Sequence, residues 1–374
     1  MSKINKFSAL AVPSVAQLHP YQPGKPIDEL ERELGLTHIV KLASNENPLG
    51  PSDRVKKAVE EAIGDASLYP DGSGFHLKEA LSKKLAVPSD MITLGNGSND
   101  VLDVIARAFL SPGREAIYSE YAFIVYAIAT QSVSATARVA KAIPGHLDGA
   151  YGHDLSAMAK LVSDKTSVIF IANPNNPTGT WIDPDELDAF IKKIPSNIII
   201  VLDEAYGEYL DIGQCPETTQ WIKKYPNLVI TRTFSKAYGL AGLRIGYSVS
   251  HPDIANLLNR VRHPFNVNSL GLVAAEAALK DEAYIEQSRT LNKAGLKQLE
   301  QGFKQLGLNY IPSVGNFISV EFGENAAQVY NDLLMEGVIV RPVAGYNMPR
   351  HLRVSVGLES ENQQCLHALA NVII

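Results

Sequence analysis

Lys236 sits in the stretch from Thr233 to Gly246, where a lysine, hydroxyls, glycines and Arg244 lie between two apolar segments. A lysine that attacks a carbonyl must be placed where its ammonium is disfavoured. Leu228, Val229 and Ile230 before it, and Leu243 and Ile245 after it, offer such a setting. Ser235 and Arg244 add a hydroxyl and a guanidinium that suit one anion, as a phosphate requires. Read alone, the same residues serve equally as a solvated loop pair and a surface ion-pair partner.

Other polar groups stand at the ends of apolar runs. Gly95 to Asp100 falls between a strand end and a helix start, where free N–H groups and the positive dipole end favour a phosphate, although such a turn is commonly just a loop. Ile198 to Leu202 is wholly apolar and ends in Asp203, which needs a cationic or N–H partner if it is buried; the plainer reading is a solvent-facing carboxylate. The turn-rich Asn173 to Gly179 follows another apolar run and would put polar groups at a sheet's carboxyl edge. Arg341 and Arg353 each stand at a strand end or edge, where a pair could clamp an anion and where either alone is ordinarily a surface ion pair. Tyr21 reads as a packing aromatic or a pocket wall, Phe123 as a buried core aromatic, and Tyr69 as part of an ordinary turn.

These residues must be positioned by strands and helices in alternation. Apolar or β-rich runs occupy 91–94, 116–118, 134–139, 167–172, 198–202, 228–233 and 245–249, and helical stretches such as 121–131, 154–162 and 184–193 separate most of them. Short buried strands alternating with helices predict an α/β fold with a mainly parallel seven-stranded sheet. Ile27 to Leu34 reads as a short amphipathic helix ending at Gly35, after a proline-rich arm. Beyond about residue 250 come helices at 252–262, 268–280 and 281–306. Strands at 317–322, 338–340 and 352–356 follow, with helices at 325–336 and 361–372. The expected division is a large domain, 41–269, with residues 1–40 and 270–374 forming an N-terminal arm and a smaller α+β domain.

Bulk properties exclude several classes. Thirty-four basic and 40 acidic residues give a net charge of -6 with no basic block, so nucleic acid is not an expected partner. The two cysteines, Cys215 and Cys365, are far apart and no Cys or His has metal-ligand spacing, so neither a disulfide framework nor a metal site is expected, and a reducing cytoplasm suits the chain. Lys3 and Lys6 before Phe7 to Val12 faintly imitate a leader, but Pro13 and Ser14 break the run, and the chain reads as mature protein. No run approaches the roughly 18 apolar residues of a membrane helix.

The pattern S-K-x-x-x-L-x-G-L-R-x-G at Ser235 to Gly246 resembles the lysine motif of class I/II aminotransferases, fold type I enzymes that use pyridoxal phosphate. N-E-N-P-x-G at Asn45 and Y-P-D-G-S-G at Tyr69 resemble the histidinol-phosphate aminotransferase branch of that family. Motifs in family order extend to L-R-V-S-V-G at Leu352, nearly the whole chain. The resemblance implies that Lys236 is the catalytic, cofactor-bearing residue. It implies Gly97, Ser98, Asn99, Ser235 and Arg244 at the cofactor phosphate, with Tyr69 reaching the phosphate of a partner subunit. It places Phe123 against the pyridine ring, Asp203 on the ring nitrogen, and Asn176 and Tyr206 on the phenolic oxygen.

For substrates it implies Arg353 and Arg341 as anion clamps, with Tyr21 at the substrate phosphate and Asn176 nearby. A homodimer is also implied. Two departures stand out: Tyr121 replaces the family's usual proline, and Phe265 stands where a tyrosine would offer a hydroxyl to the substrate phosphate. The expected reaction converts imidazole acetol phosphate and glutamate to histidinol phosphate and 2-oxoglutarate, in histidine biosynthesis. Rival expectations are an aromatic amino-acid aminotransferase, which Phe265 favours, and a decarboxylase of a phosphorylated amino acid.

Overall fold

The computed structural model describes residues 7–18, 20, 24–145, 149–211, 214 and 216–373. Seven strands form its main sheet: β1 (Ile92–Gly95), β2 (Glu115–Ser119), β3 (Thr136–Ala140), β4 (Thr166–Ala172), β5 (Ile199–Asp203), β6 (Leu228–Thr233) and β7 (Gly246–Ser250). Their spatial order is β1-β7-β6-β5-β4-β2-β3, and β7 alone runs antiparallel to its neighbours. The mainly parallel α/β sheet expected from the sequence is therefore present. Its central strands are apolar on both faces because both faces are covered. In β4, Val168, Phe170 and Ala172 pack into one core while Ile169 and Ile171 pack into the other, the period-two alternation of a pleated strand.

Helix starts follow local chemistry. Asp183 accepts from the Asp185 N–H and Pro184 occupies the first helical position of Pro184–Lys193, while Asn268 accepts from the Gly271 N–H at the start of Ser269–Leu279. Ile27–Leu34 forms as expected and stops at Gly35, whose φ of 68° is left-handed. The helix expected over 121–131 begins only at Val125 and ends at Ser132. Residues 121–124 are held as a turn by Ala122 N–H donating to Ser119 O and by Asn175 Nδ2 donating to Tyr121 O.

A second, antiparallel sheet contains β8 (Tyr310–Ile311), β9 (Phe317–Glu321), β10 (Arg341–Pro342) and β11 (His351–Ser355), in the order β10-β11-β9-β8. Val338–Ile339, expected as a strand, instead pairs in parallel with Val40–Lys41. Helix Ser269–Leu279 packs Ala274, Ala275, Ala278 and Leu279 into the core of the main sheet. The 24-residue helix Glu282–Gln305 spans both regions, with Tyr284 and Ile285 in the large core and Leu299 and Phe303 in the small one. Because β1, β2, β4, β5 and β6 all point one way, the loops after them share one carboxyl edge, which is where an α/β sheet places ligands.

Candidate active site

At that edge, loops after five strands and the small sheet's β11 enclose one pocket. It is lined by Ser98, Asn99, Phe123, Asn176, Asp203, Tyr206, Ser235, Lys236, Arg244 and Arg353 among others. Ten residues expected from the sequence thus meet in space.

Lys236 follows β6 and its Nζ donates to Ser44 O at 3.1 Å. The side chain keeps some surface toward the pocket, yet its ammonium is enclosed. Burial, aided by the charges of Arg353 and Arg244 and opposed by Glu46, brings the Lys236 pKa down to about 7. Near neutrality a good part of this amine is unprotonated and able to attack a carbonyl or take a proton.

Asp203 ends β5 and is only 3% exposed. Tyr126 Oη donates to its Oδ2 at 2.8 Å and Thr231 Oγ1 to its Oδ1 at 2.9 Å. Burial pushes its pKa up to about 6, although both hydroxyls and the Ala205 N–H pull it down. Among the described residues no cation pairs with it. Tyr206 Oη accepts from Asn45 Nδ2 at 2.9 Å, so the phenol's own proton is left to donate, and burial raises its pKa to about 12.

Arg244, Ser235 and the start of helix Ser98–Phe109 make a positive corner. Arg244 Nη1 donates to Ser235 Oγ at 3.3 Å and to Ala241 O at 3.0 Å. Two glycines make the approach possible. A Cβ on Gly97 (φ 82°) would lie 2.5 Å from Arg244 Nη2, and one on Gly246 would lie 2.4 Å from the Ser98 nitrogen. The corner therefore joins a guanidinium to helix N–H groups with no carboxylate ion-paired to Arg244 among the described residues. Such a corner takes an anion.

Arg353 enters from β11, buried at 4% exposure. Its Nη2 donates to Ala43 O at 2.8 Å, its Nη1 donates to Asn176 Oδ1, and its Cζ lies 5.2 Å from the centroid of the Phe317 ring. Its Nε is buried without a partner among the described residues. Since the Asn176 oxygen is engaged, that residue has its NH2 left to offer.

Other expected residues stand elsewhere. Arg341 is buried directly opposite Arg353 in the β10–β11 pair but is not part of the pocket lining. Tyr69 is 84% exposed and stacks on Phe265, with centroids 4.9 Å apart. Tyr121 packs against Tyr151 at 5.7 Å in a small apolar cluster beside Phe123 and Tyr346. Tyr21 and Cys215 lie outside the described residues. Tyr126, Thr231 and Ser44 were given no role from the sequence, and Asn45 was marked only as the start of the N-E-N-P motif. Asn45 had its motif as a signal, and Tyr126 its place three residues after Phe123, to whose carbonyl its N–H donates.

The pocket thus holds three unmet needs: an anion at Arg244, a cation at Asp203 and a carbonyl at Lys236. Pyridoxal phosphate carries one group for each, in its phosphate, its protonated pyridine nitrogen and its aldehyde, and the residues present fit it. Fold and site together define a pyridoxal-phosphate-dependent transferase of the α/β class.

Within that class the chain belongs to the aminotransferase class I and II family, whose sequence model matches residues 37–369. It is 55% identical over 369 residues to histidinol-phosphate aminotransferase 2 of Pseudomonas fluorescens, covering 98% of each chain. It is 54% identical to histidinol-phosphate aminotransferase 1 of Nitrosococcus oceani over 367 residues, again 98% of each. In structure it is similar to the histidinol-phosphate aminotransferase of Sinorhizobium meliloti in complex with pyridoxal 5'-phosphate. There the TM-score is 0.88 at 28% identity, over 100% of this chain and 98% of that one.

Proposed function

We propose that the protein transfers an amino group between glutamate and imidazole acetol phosphate, yielding histidinol phosphate and 2-oxoglutarate, as a step in histidine biosynthesis. The observation that carries the reading is the convergence of Lys236, Asp203 and Arg353 on one pocket. The names of the relatives at 54–55% identity support the substrate pair.

Bound pyridoxal phosphate supplies a carbonyl carbon for the travelling nitrogen and a ring that accepts electrons from the substrate carbon. Ser98, Asn99, Ser235 and Arg244 would hold its phosphate, with Gly97 leaving the room, and Asp203 would pair with its ring nitrogen. Tyr206 and Asn176 would hydrogen-bond its phenolic oxygen, and Phe123 would cover its ring. Lys236 would hold the cofactor through its amine. Its amine, unprotonated in good part near neutrality, would move the proton at the substrate carbon that bears nitrogen. Arg353 binds the glutamate carboxylate and the phosphate of the other substrate by turns, since both are anions that suit a guanidinium. Arg341 supports it from the neighbouring strand, and Tyr21 contributes to phosphate binding.

The proposal includes a homodimer. Tyr69, at 84% exposure beside exposed Leu68 and Phe75, is turned outward, and a second copy would receive it at its cofactor phosphate. A cytoplasmic location and the absence of nucleic-acid partners belong to the same reading; no helix among the described residues is long and apolar enough to cross a membrane. Phe265, which offers no hydroxyl, favours a second reading as an aromatic amino-acid aminotransferase. Supplying the protein with 2-oxoglutarate and either histidinol phosphate or phenylalanine, and measuring glutamate, separates the two. Turnover of histidinol phosphate at a much higher kcat/KM is expected, and turnover of phenylalanine alone would sink the first reading.

A further inference from the structure

Asp203 lies between β4 and β6 in the sheet, and the groups that reach its carboxylate come from different elements. Thr231 on β6 donates to one oxygen and Tyr126 on helix Val125–Ser132 donates to the other. The tyrosine is fully buried, and its ring is stacked on Phe170 of β4 with centroids 4.9 Å apart and planes 7° from parallel. The edge contact with Phe123, at 5.9 Å and 88°, ties it to a residue that lines the pocket. With the ring clamped on two sides, the phenol oxygen has one place to be. That place is 2.8 Å from Asp203 Oδ2.

We propose that Tyr126 is a positioning residue for the reaction, holding the Asp203 carboxylate ionised and aimed at the ring nitrogen of the cofactor. The inference rests on the cofactor placement proposed above. A buried carboxylate without a cation beside it tends to take up a proton, and a protonated Asp203 would face a protonated ring nitrogen with no charge to offer. Hydrogen bonds to the ionised form oppose that. Tyr126 can serve only as donor here, because burial and the adjacent carboxylate push its own pKa far above the usual range. The other titratable groups acting nearby are Glu204, the residue after the strand's end, which disfavours ionisation, and Tyr206 just beyond it. Thr231 supplies the second hydroxyl and does not titrate.

The test is Tyr126→Phe, which keeps the ring stack and removes one donor. Holoenzyme is dialysed to equilibrium against graded pyridoxal phosphate from about pH 5 to pH 8, and retained cofactor is measured. Losing a hydrogen bond to the charged form raises the Asp203 pKa. The acid limb of cofactor affinity should therefore move up by about one pH unit, with Kd rising roughly tenfold on that limb. Thr231→Val should shift the limb in the same direction, and it carries the test if the tyrosine variant folds poorly. For Tyr126→Phe, kcat should fall while KM for glutamate stays near wild type. An unmoved acid limb in both variants, whatever their Tm, would overturn the role assigned to Tyr126. A wild-type protein that retains no cofactor would overturn the underlying placement instead, so the two failures are distinct.

Discussion

Asp203 and Glu204 are consecutive buried carboxylates that face different regions of the molecule. Glu204 lines a separate groove and is neutralised within the chain: Arg232 Nε lies 2.9 Å from its Oε2 and Thr218 Oγ1 donates to its Oε1 at 2.6 Å. Asp203 faces the pocket and, among the described residues, receives only neutral donors. Burial pushes both carboxyls upward, but only Glu204 has a guanidinium opposing the push. The same contrast holds for the arginines. Arg232 meets Glu204 and Glu217, whereas Arg353 meets an amide oxygen and a backbone carbonyl. Charges that build the fold are matched inside it; charges kept for a ligand are left with unspent capacity, at a cost in stability.

The sharpest test of that contrast exchanges each carboxylate for its amide. Asp203→Asn should lower kcat by about 100-fold or more, since the ring nitrogen loses its anion. The same change should raise the Tm of cofactor-stripped protein at neutral pH. The sign follows from a folded pKa of about 6 against an ordinary 3.8. The ionised carboxylate is no burden below about pH 4, becomes one as pH rises to about 6, and costs at most ~3 kcal/mol above that. The Tm gain should therefore vanish in acid. Glu204→Gln should do the reverse, leaving kcat near wild type and lowering stability by about 3 kcal/mol, because Arg232 loses a charged partner in a buried setting. If both variants lost stability alike, the distinction between the two carboxylates would be wrong.

The cations extend the comparison. Arg353→Ala should raise KM for both glutamate and histidinol phosphate by roughly tenfold to 100-fold, consistent with the loss of about 1.5–3 kcal/mol from a charge-assisted contact. Unchanged kcat/KM for both substrates would show that it clamps neither. A smaller effect is expected at the exposed Tyr69–Phe265 stack. Phe265→Tyr supplies a hydroxyl at the surface and should improve kcat/KM for histidinol phosphate by a few-fold without changing that for glutamate, because a single hydrogen bond is worth about 1 kcal/mol. Equal gains for the two substrates would remove phosphate recognition as its cause.

Much of this arrangement could be read from the chain because its determinants are local. Strand β6 falls where its apolar run lies, at Leu228–Thr233, and Gly35 ends its helix for the reason glycine usually does. Site residues at strand ends were legible because a strand must stop where its polar turn begins. Contacts between distant segments were not. Tyr126 lies 77 positions from Asp203 and Asn45 lies 161 from Tyr206, and neither pairing leaves a periodic trace. The two-residue strands Tyr310–Ile311 and Arg341–Pro342 are too short to show alternation. Helix Ser269–Leu279 was assigned with the smaller unit, yet its alanines pack on the main sheet; small apolar residues do not announce which core they will join.

The central claim is that Lys236 bears the cofactor. Borohydride reduction of the pyridoxal-phosphate-loaded protein, followed by trypsin and mass spectrometry, tests it directly. The account predicts a phosphopyridoxyl mass increment on the peptide from Thr233 to Arg244, uncut at Lys236. An increment on another lysine, or none in protein saturated with the cofactor, would contradict it.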